Sequence, residues 1–124
     1  ITVSGWVKDI RTSYASARIF VAPMQIGTGL QNKLLEAMAM RIPCVTSALA
    51  NNAVEATPGQ SILIGQEPQD YADHILRLLA DPSERERIAE AGLRFVRTRF
   101  NWDRSAEELD LLLTQIGHAR STTA

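Results

Sequence analysis

The 124-residue chain contains one cysteine, Cys44, two histidines, His74 and His118, and only 6% aromatic residues. A single thiol cannot close an intramolecular disulfide, so the fold must rest on its apolar core, in keeping with a reducing compartment. Unpaired cysteines mostly behave as small hydrophobes, and Cys44, set in the run Pro43–Ser47, is expected to be a buried strand residue. The histidines lie far apart and neither has a second ligand at helical spacing, so no metal site is assigned and both are expected on helix surfaces. A membrane-spanning helix needs about 20 apolar residues and a secretory leader needs a charged segment followed by an apolar one. Neither pattern occurs in these residues. Charge of one sign is also missing: 13 Lys and Arg face 14 Asp and Glu. With no basic run interleaved with aromatics, general attraction to nucleic acid is excluded, and any anion site must be local. No Ser-His-Asp or Cys-His pattern stands out. The carboxylates Glu84, Glu86, Glu90, Glu107 and Glu108 read as solvated helix faces, so no residue is assigned to catalysis.

What the chain does have is a core: 45% hydrophobic and 22% charged residues suit one compact domain. Its most informative stretch is Gly27-Thr28-Gly29-Leu30-Gln31-Asn32-Lys33-Leu34-Leu35-Glu36. The glycines allow close backbone approach to a ligand, and the opening helix turn presents free N–H groups to an anion. Lys33 and Glu36 are three residues apart, so they share a helical face and lean toward the helix start. Lys33 offers only donors and suits a phosphate; an ionised Glu36 only accepts and suits the two hydroxyls of a ribose. At a rise of about 1.5 Å per residue, Glu36 is expected about 10 Å along the axis from Gly29, the reach from a diphosphate to its ribose. A glycine turn before an amphipathic helix is also common in proteins that bind nothing there. The flanks decide between these readings. Residues 18–23 and 43–47 both read as buried strands, and a helix between two such strands is a right-handed crossover in a parallel sheet. The glycine turn then falls at the C-terminal edge of the sheet, where open α/β sheets bind ligands.

Further elements follow from periodicity and caps. A strand is expected over about residues 1–6, a helix over 9–17, a loop or short helix over 48–58 and a short last strand over 61–65. Asn51 and Asn52 are read as turn-capping residues rather than ligand contacts. Three helices close the chain. Pro68 suits the first turn of one, whose apolar stripe is Tyr71, Ile75, Leu78 and Leu79. Asp81-Pro82-Ser83-Glu84 begins the next, and Asn101 caps the third. Trp102 is expected to pack structurally.

The order of these landmarks resembles the C-terminal domain of glycosyltransferase family 4. It is carried by Val3-Ser4-Gly5-Trp6-Val7, Ala22-Pro23, the glycine turn, Lys33-Leu34-Leu35-Glu36-Ala37-Met38-Ala39, Pro43-Cys44-Val45-Thr46-Ser47, Leu79-Ala80-Asp81-Pro82 and Phe100-Asn101-Trp102. Gln31-Asn32-Lys33 and the repeated Ala-Met are most similar to sugar transferases of bacterial exopolysaccharide systems. The resemblance implies an α/β fold, a Rossmann-like parallel sheet with flanking helices, forming part of the C-terminal domain of a GT-B enzyme. It implies a nucleotide-diphosphate sugar as donor substrate, no separate cofactor, and retention of anomeric configuration. Glu36 matches the glutamate that holds the donor ribose, Gly29 and Leu30 the backbone donors to the diphosphate, and Trp6 and Val7 the turn near the base. Thr28 stands eight positions before Glu36, where many members carry a second glutamate that meets the transferred sugar. Gly27 and Lys33 complete the expected donor site, Lys33 as an inferred phosphate contact.

The family's first domain, and the upstream Arg and Lys that neutralise the diphosphate, have no counterpart in these residues. The chain, beginning at Ile1, is therefore expected to be a fragment, inactive alone: residues 1–117 as the nucleotide-sugar-binding part and 118–124 as a flexible tail. A last helix with Leu109, Leu111, Leu112, Leu113 and Ile116 would lack its partner domain, so self-association is expected. The expected location is cytoplasmic, with a peripheral position at the inner membrane face open for the parent enzyme. Two other readings stay open: a non-catalytic nucleotide-binding or scaffold module, and a sugar-nucleotide epimerase relative.

Overall fold

The computed structural model describes the backbone of residues 1–27 and 29–122. Three parallel strands lie in the order β1 (Phe20–Ala22), β2 (Cys44–Thr46) and β3 (Leu63–Ile64). Phe20 pairs with Cys44, Val21 with Val45 and Ala22 with Thr46, while Val45 and Thr46 continue to Leu63 and Ile64. The helices are α1 (Ile10–Ala15), α2 (Asn32–Ala39), α3 (Ala48–Val54), α4 (Pro68–Ala80), α5 (Pro82–Arg99) and α6 (Trp102–Thr122).

Side chains alternate across a strand, and the two faces of this sheet accordingly feed two cores. Cys44 and Ile62 join Leu34, Ala37 and Met38 of α2, Ala50 and Val54 of α3, and Tyr14 of α1 in one buried cluster. Val45 and Leu63 face the other way, against Leu78 of α4 and Ile88 of α5. Strands of two or three residues persist because helices cover both faces, as in α/β proteins generally. In the middle of the sheet Thr46 is fully buried and donates its hydroxyl to the Ala22 carbonyl at 2.7 Å, so its polar atom is satisfied. Where α5 crosses the core, Gly92 lets it approach closely: a Cβ there would lie 3.2 Å from the Ser61 carbonyl oxygen and 3.6 Å from Met38 Cε.

Local signals set the helix starts. Asp81 accepts from the N–H groups of Ser83 and Glu84, Asp9 from that of Arg11, and Asn101 from that of Asp103. Pro68 and Pro82 occupy first-turn positions where a missing N–H costs nothing. Segment 48–58 resolves into α3, whose N-cap Ser47 accepts from the Ala50 N–H. Asn51 closes its far end, donating to the Ala56 carbonyl at 2.9 Å and accepting from the Ala56 N–H at 3.0 Å. Glu86 and Glu90 are paired with Arg41, and Glu84 with Arg77 and Arg87, so these carboxylates are exposed or half-buried but not free.

Other expectations change. Residues 1–6 form no strand: Ile1, Val3 and Trp6 are exposed, and a strand exists only through a paired neighbour, which this segment does not have among the described residues. The first helix is shorter than expected, ending at Ala15. In α4, Leu78 is buried and Tyr71 and Ile75 are half-buried, whereas Leu79 is exposed. His74 is half-buried, with Nε2 2.9 Å from the Ile64 carbonyl oxygen. The stretch expected to be a loose tail from residue 118 belongs to α6 as far as Thr122, and residues 123 and 124 lie outside the described residues. The side chain of Trp102 also lies outside them.

Along α6, Leu109, Leu111, Leu112, Leu113 and Ile116 are exposed. Apolar rows of this kind mark surfaces that bind something. Sedimentation of the purified chain is expected to show concentration-dependent association, and a monomer across the whole concentration range would contradict this. In the core, Leu34→Ala is expected to lower unfolding free energy by about 2–5 kcal/mol in urea titrations, because Leu34 is fully buried between α2 and the sheet.

Candidate functional site

The connection from β1 to α2 crosses the C-terminal edge of the sheet. It begins at Ala22-Pro23 and passes through Gly27, whose φ of 130° is closed to ordinary L-residues. A Cβ on Gly27 would also lie 3.2 Å from Gln31 Nε2, and Gln31 in turn donates to the Gly29 carbonyl at 3.2 Å. Glycine is therefore required at position 27 by conformation, while the Gln31 amide, at the end of a flexible side chain, could shift to make room. Thr28 lies outside the described residues.

The helix begins later than the sequence suggests. Gln31 is extended (φ −89°, ψ 93°) and serves as N-cap, so Asn32 is the first helical residue and Lys33 stands in the first turn. Gly29 and Leu30 belong to the loop, and Glu36 lies about 6 Å along the axis from Asn32 rather than about 10 Å from a helix-borne Gly29. The side chain of Gln31 folds back on the loop that precedes the helix. Leu34 and Leu35 direct their N–H groups to the Gln31 carbonyl. The N–H groups of Asn32 and Lys33, like those of any first helical turn, have no intrahelical acceptor.

Lys33 and Glu36 are both exposed on α2, as their spacing requires, while Leu34, Ala37 and Met38 face the core. Lys33 Nζ lies 3.2 Å from Met24 Sδ in the loop. Trp6 is 88% exposed and Val7 half-buried, in the segment leading into α1. Beside this loop, a cavity of about 690 Å³ opens at the strand ends, lined by Val21, Pro23, Met24, Ser47, Leu49, Ile64, Gly65 and Tyr71 among others. Met24 connects it to Lys33; Glu36, Gly27 and Gly29 are not in its walls. Among the described residues no group of three or more His, Cys, Asp or Glu side chains is placed to hold a metal, and no helix is long and apolar enough to cross a membrane.

Tyr14 is the site residue that sequence reasoning missed. From α1 its hydroxyl donates to Glu36 Oε2 at 3.0 Å and reaches the Lys33 carbonyl oxygen at 3.3 Å. Its ring is buried, tilted against Phe20 at 5.9 Å between centroids. A buried phenol needs a polar partner, which is a signal visible in sequence, but nothing in the sequence names a partner 22 positions away. Burial first, then the hydrogen bond and the negative charge of Glu36, push the Tyr14 phenol up to about 12. It stays a donor throughout the neutral range.

Residues 1–81 match the family model described as glycosyl transferases group 1. The chain belongs to this family. It is 33% identical over 105 residues to spore coat protein SA of Bacillus subtilis, an alignment covering 82% of this chain and 28% of that protein. It is 33% identical over 76 residues to the D-inositol 3-phosphate glycosyltransferase of Thermomonospora curvata, covering 60% of this chain and 17% of that one. The chain thus spans less than a third of the length of either relative. Among solved structures, sucrose-phosphate synthase from Thermosynechococcus elongatus superposes with a TM-score of 0.74 at 26% identity, over 89% of this chain and 28% of that one. The C-terminal domain of a glycosyl transferase group 1 family protein from Francisella tularensis gives 0.69 at 25%, over 80% and 53%. The expected fold, a Rossmann-like parallel sheet of the GT-B C-terminal type, is the one observed.

The titrations of Tyr14 and Cys44 set an alkaline limit on stability. Burial pushes the Cys44 thiol up to about 12 from an ordinary 9.0, and Tyr14 rises to about 12 from 10.0. The native state therefore holds these protons more tightly than the unfolded chain. Their contribution is complete below the unfolded values and is lost as pH rises through the native ones. Urea unfolding is expected to show this part of the stability falling between about pH 9 and 12, less steeply in Cys44→Ala. In Glu36→Gln the phenol of Tyr14 should titrate closer to 10, measured by its absorbance; an unchanged titration would contradict the contact.

Proposed function

We propose that this chain forms the donor-binding part of a glycosyltransferase that moves a sugar from a nucleotide-diphosphate sugar to an acceptor, in bacterial polysaccharide or glycoconjugate synthesis. The observation that carries the reading is the placement of Lys33 and Glu36 on the exposed face of α2, just after a glycine turn at the ligand-binding edge of the sheet, in a chain of this family. The backbone of Gly29 and Leu30, with the first N–H groups of α2, takes the diphosphate, Gly27 and Thr28 complete the donor-binding loop, and Lys33 adds a positive charge. The Glu36 carboxylate accepts the ribose hydroxyls. Trp6 and Val7 lie near the base.

Rate enhancement in such a site comes from positioning the donor and from stabilising the charge that develops on the departing diphosphate. Helix N–H groups and cations supply that stabilisation, so neither a metal nor a cofactor is assigned. Retention of anomeric configuration follows from the family reading. The acceptor is held by a first Rossmann-like domain of the same enzyme, and the parent protein works in the cytoplasm or against the inner membrane face.

Calorimetric titration with UDP, GDP and ADP tests the proposal. One nucleotide is expected to bind in preference to the others, and Glu36→Ala is expected to weaken it about tenfold, the loss of a hydrogen-bonded charged acceptor. Equal affinity in Glu36→Ala would remove the ribose role.

A further inference from the structure

Glu36 does not stand alone on α2: a side chain from a different helix holds it. Tyr14 is 8% exposed, its ring is wedged against Phe20, and its hydroxyl lies 3.0 Å from Glu36 Oε2. The same hydroxyl is 3.3 Å from the Lys33 carbonyl oxygen, in the first turn of α2. A glutamate on an exposed helical face ordinarily samples several rotamers, and ordering it on binding costs affinity. One donor fixed on Oε2 removes much of that freedom before the ligand arrives. It also leaves Oε1 and the remaining lone pairs of both oxygens as acceptors, enough for a vicinal diol.

We infer that Tyr14 is a positioning residue for the donor site, fixing the Glu36 carboxylate in the orientation that accepts the two hydroxyls of the donor ribose. This rests on the ribose role of Glu36 given above. The arrangement couples recognition of the sugar ring to the docking of α1 on α2, since the helix that carries Tyr14 is anchored by the same ring that aims the carboxylate. With the phenol protonated through the neutral range, the contact persists at any pH where the enzyme is expected to work.

The test uses the full chain and three proteins: native, Tyr14→Phe and Glu36→Ala. Each is titrated with whichever of UDP, GDP and ADP binds tightest and with its 2′,3′-dideoxy counterpart, and the readout is the ratio of the two affinities. Phenylalanine keeps the ring against Phe20, and a ratio taken on one preparation does not depend on how much of it is folded. In the native chain the ribonucleotide is expected to bind about tenfold tighter, and in Glu36→Ala the ratio should fall to near one. In Tyr14→Phe it should fall about fivefold, the cost of ordering one freely rotating side chain when the ligand binds. A Tyr14→Phe variant with lower affinity for both nucleotides but the native ratio would show that the hydroxyl only clamps α2 through the Lys33 carbonyl, and would overturn the inference. A native ratio in Glu36→Ala, or no nucleotide binding by the native chain, would overturn the donor-site reading beneath it, a result distinct from failure at Tyr14 alone.

Discussion

Burial of one face of α2 against the sheet is the constraint on which the rest depends. Leu34, Ala37 and Met38 are almost wholly withdrawn from water, and they can be so only with Asn32, Lys33 and Glu36 turned away from the core. The helix cannot rotate without exposing Leu34 or burying Lys33, either of which costs several kcal/mol. Its start is fixed as well, because β1 ends at Ala22 and the glycine turn must bring the chain round in the few residues before Gln31. The orientation of the charged pair is therefore a by-product of core packing. No interaction at the surface has to be strong for the site to be well aimed.

A second layer of order comes from contacts between helices that are distant in sequence. Tyr14 ties α1 to the first turn of α2, and Met38 meets Gly92 of α5 on the buried side. Arg41, in a left-handed conformation just after α2, is paired with Glu86 and Glu90 of α5, and Glu55, left-handed after α3, is paired with Arg99 of the same helix. Exposed ion pairs such as these contribute little individually. Their position is still informative, since among the described residues the two non-glycine residues with positive φ are both attached to α5, which buries Ile88 and Gly92.

Much of this was legible in the sequence where the signal is local. The three-residue spacing of Lys33 and Glu36, the Pro43–Ser47 run, and the caps at Asp81 and Asn101 each act within one or two turns of chain, and the structure realises them. Non-local facts were not legible. Ile1-Thr2-Val3-Ser4 alternates as a strand should, yet pairing depends on a neighbour that sequence pattern does not supply. The start of α2 falls at Asn32 because Gln31 is extended and serves as its N-cap, a backbone conformation that the spacing of residues does not reveal. Lys33 and Glu36 could be placed on one face from spacing alone, whereas the tyrosine that holds Glu36 arrives from another helix and could be found only in three dimensions.

In the proposed donor site, the loop and first turn before Glu36 form an anion site facing a ribose acceptor. Amide chemical-shift mapping of this chain during addition of a nucleoside diphosphate tests it most directly. The predicted result is that the largest shifts fall on Gly27, Gly29, Leu30, Asn32 and Lys33, with smaller ones on Glu36. Shifts concentrated elsewhere, along α5 or α6 for example, would contradict it.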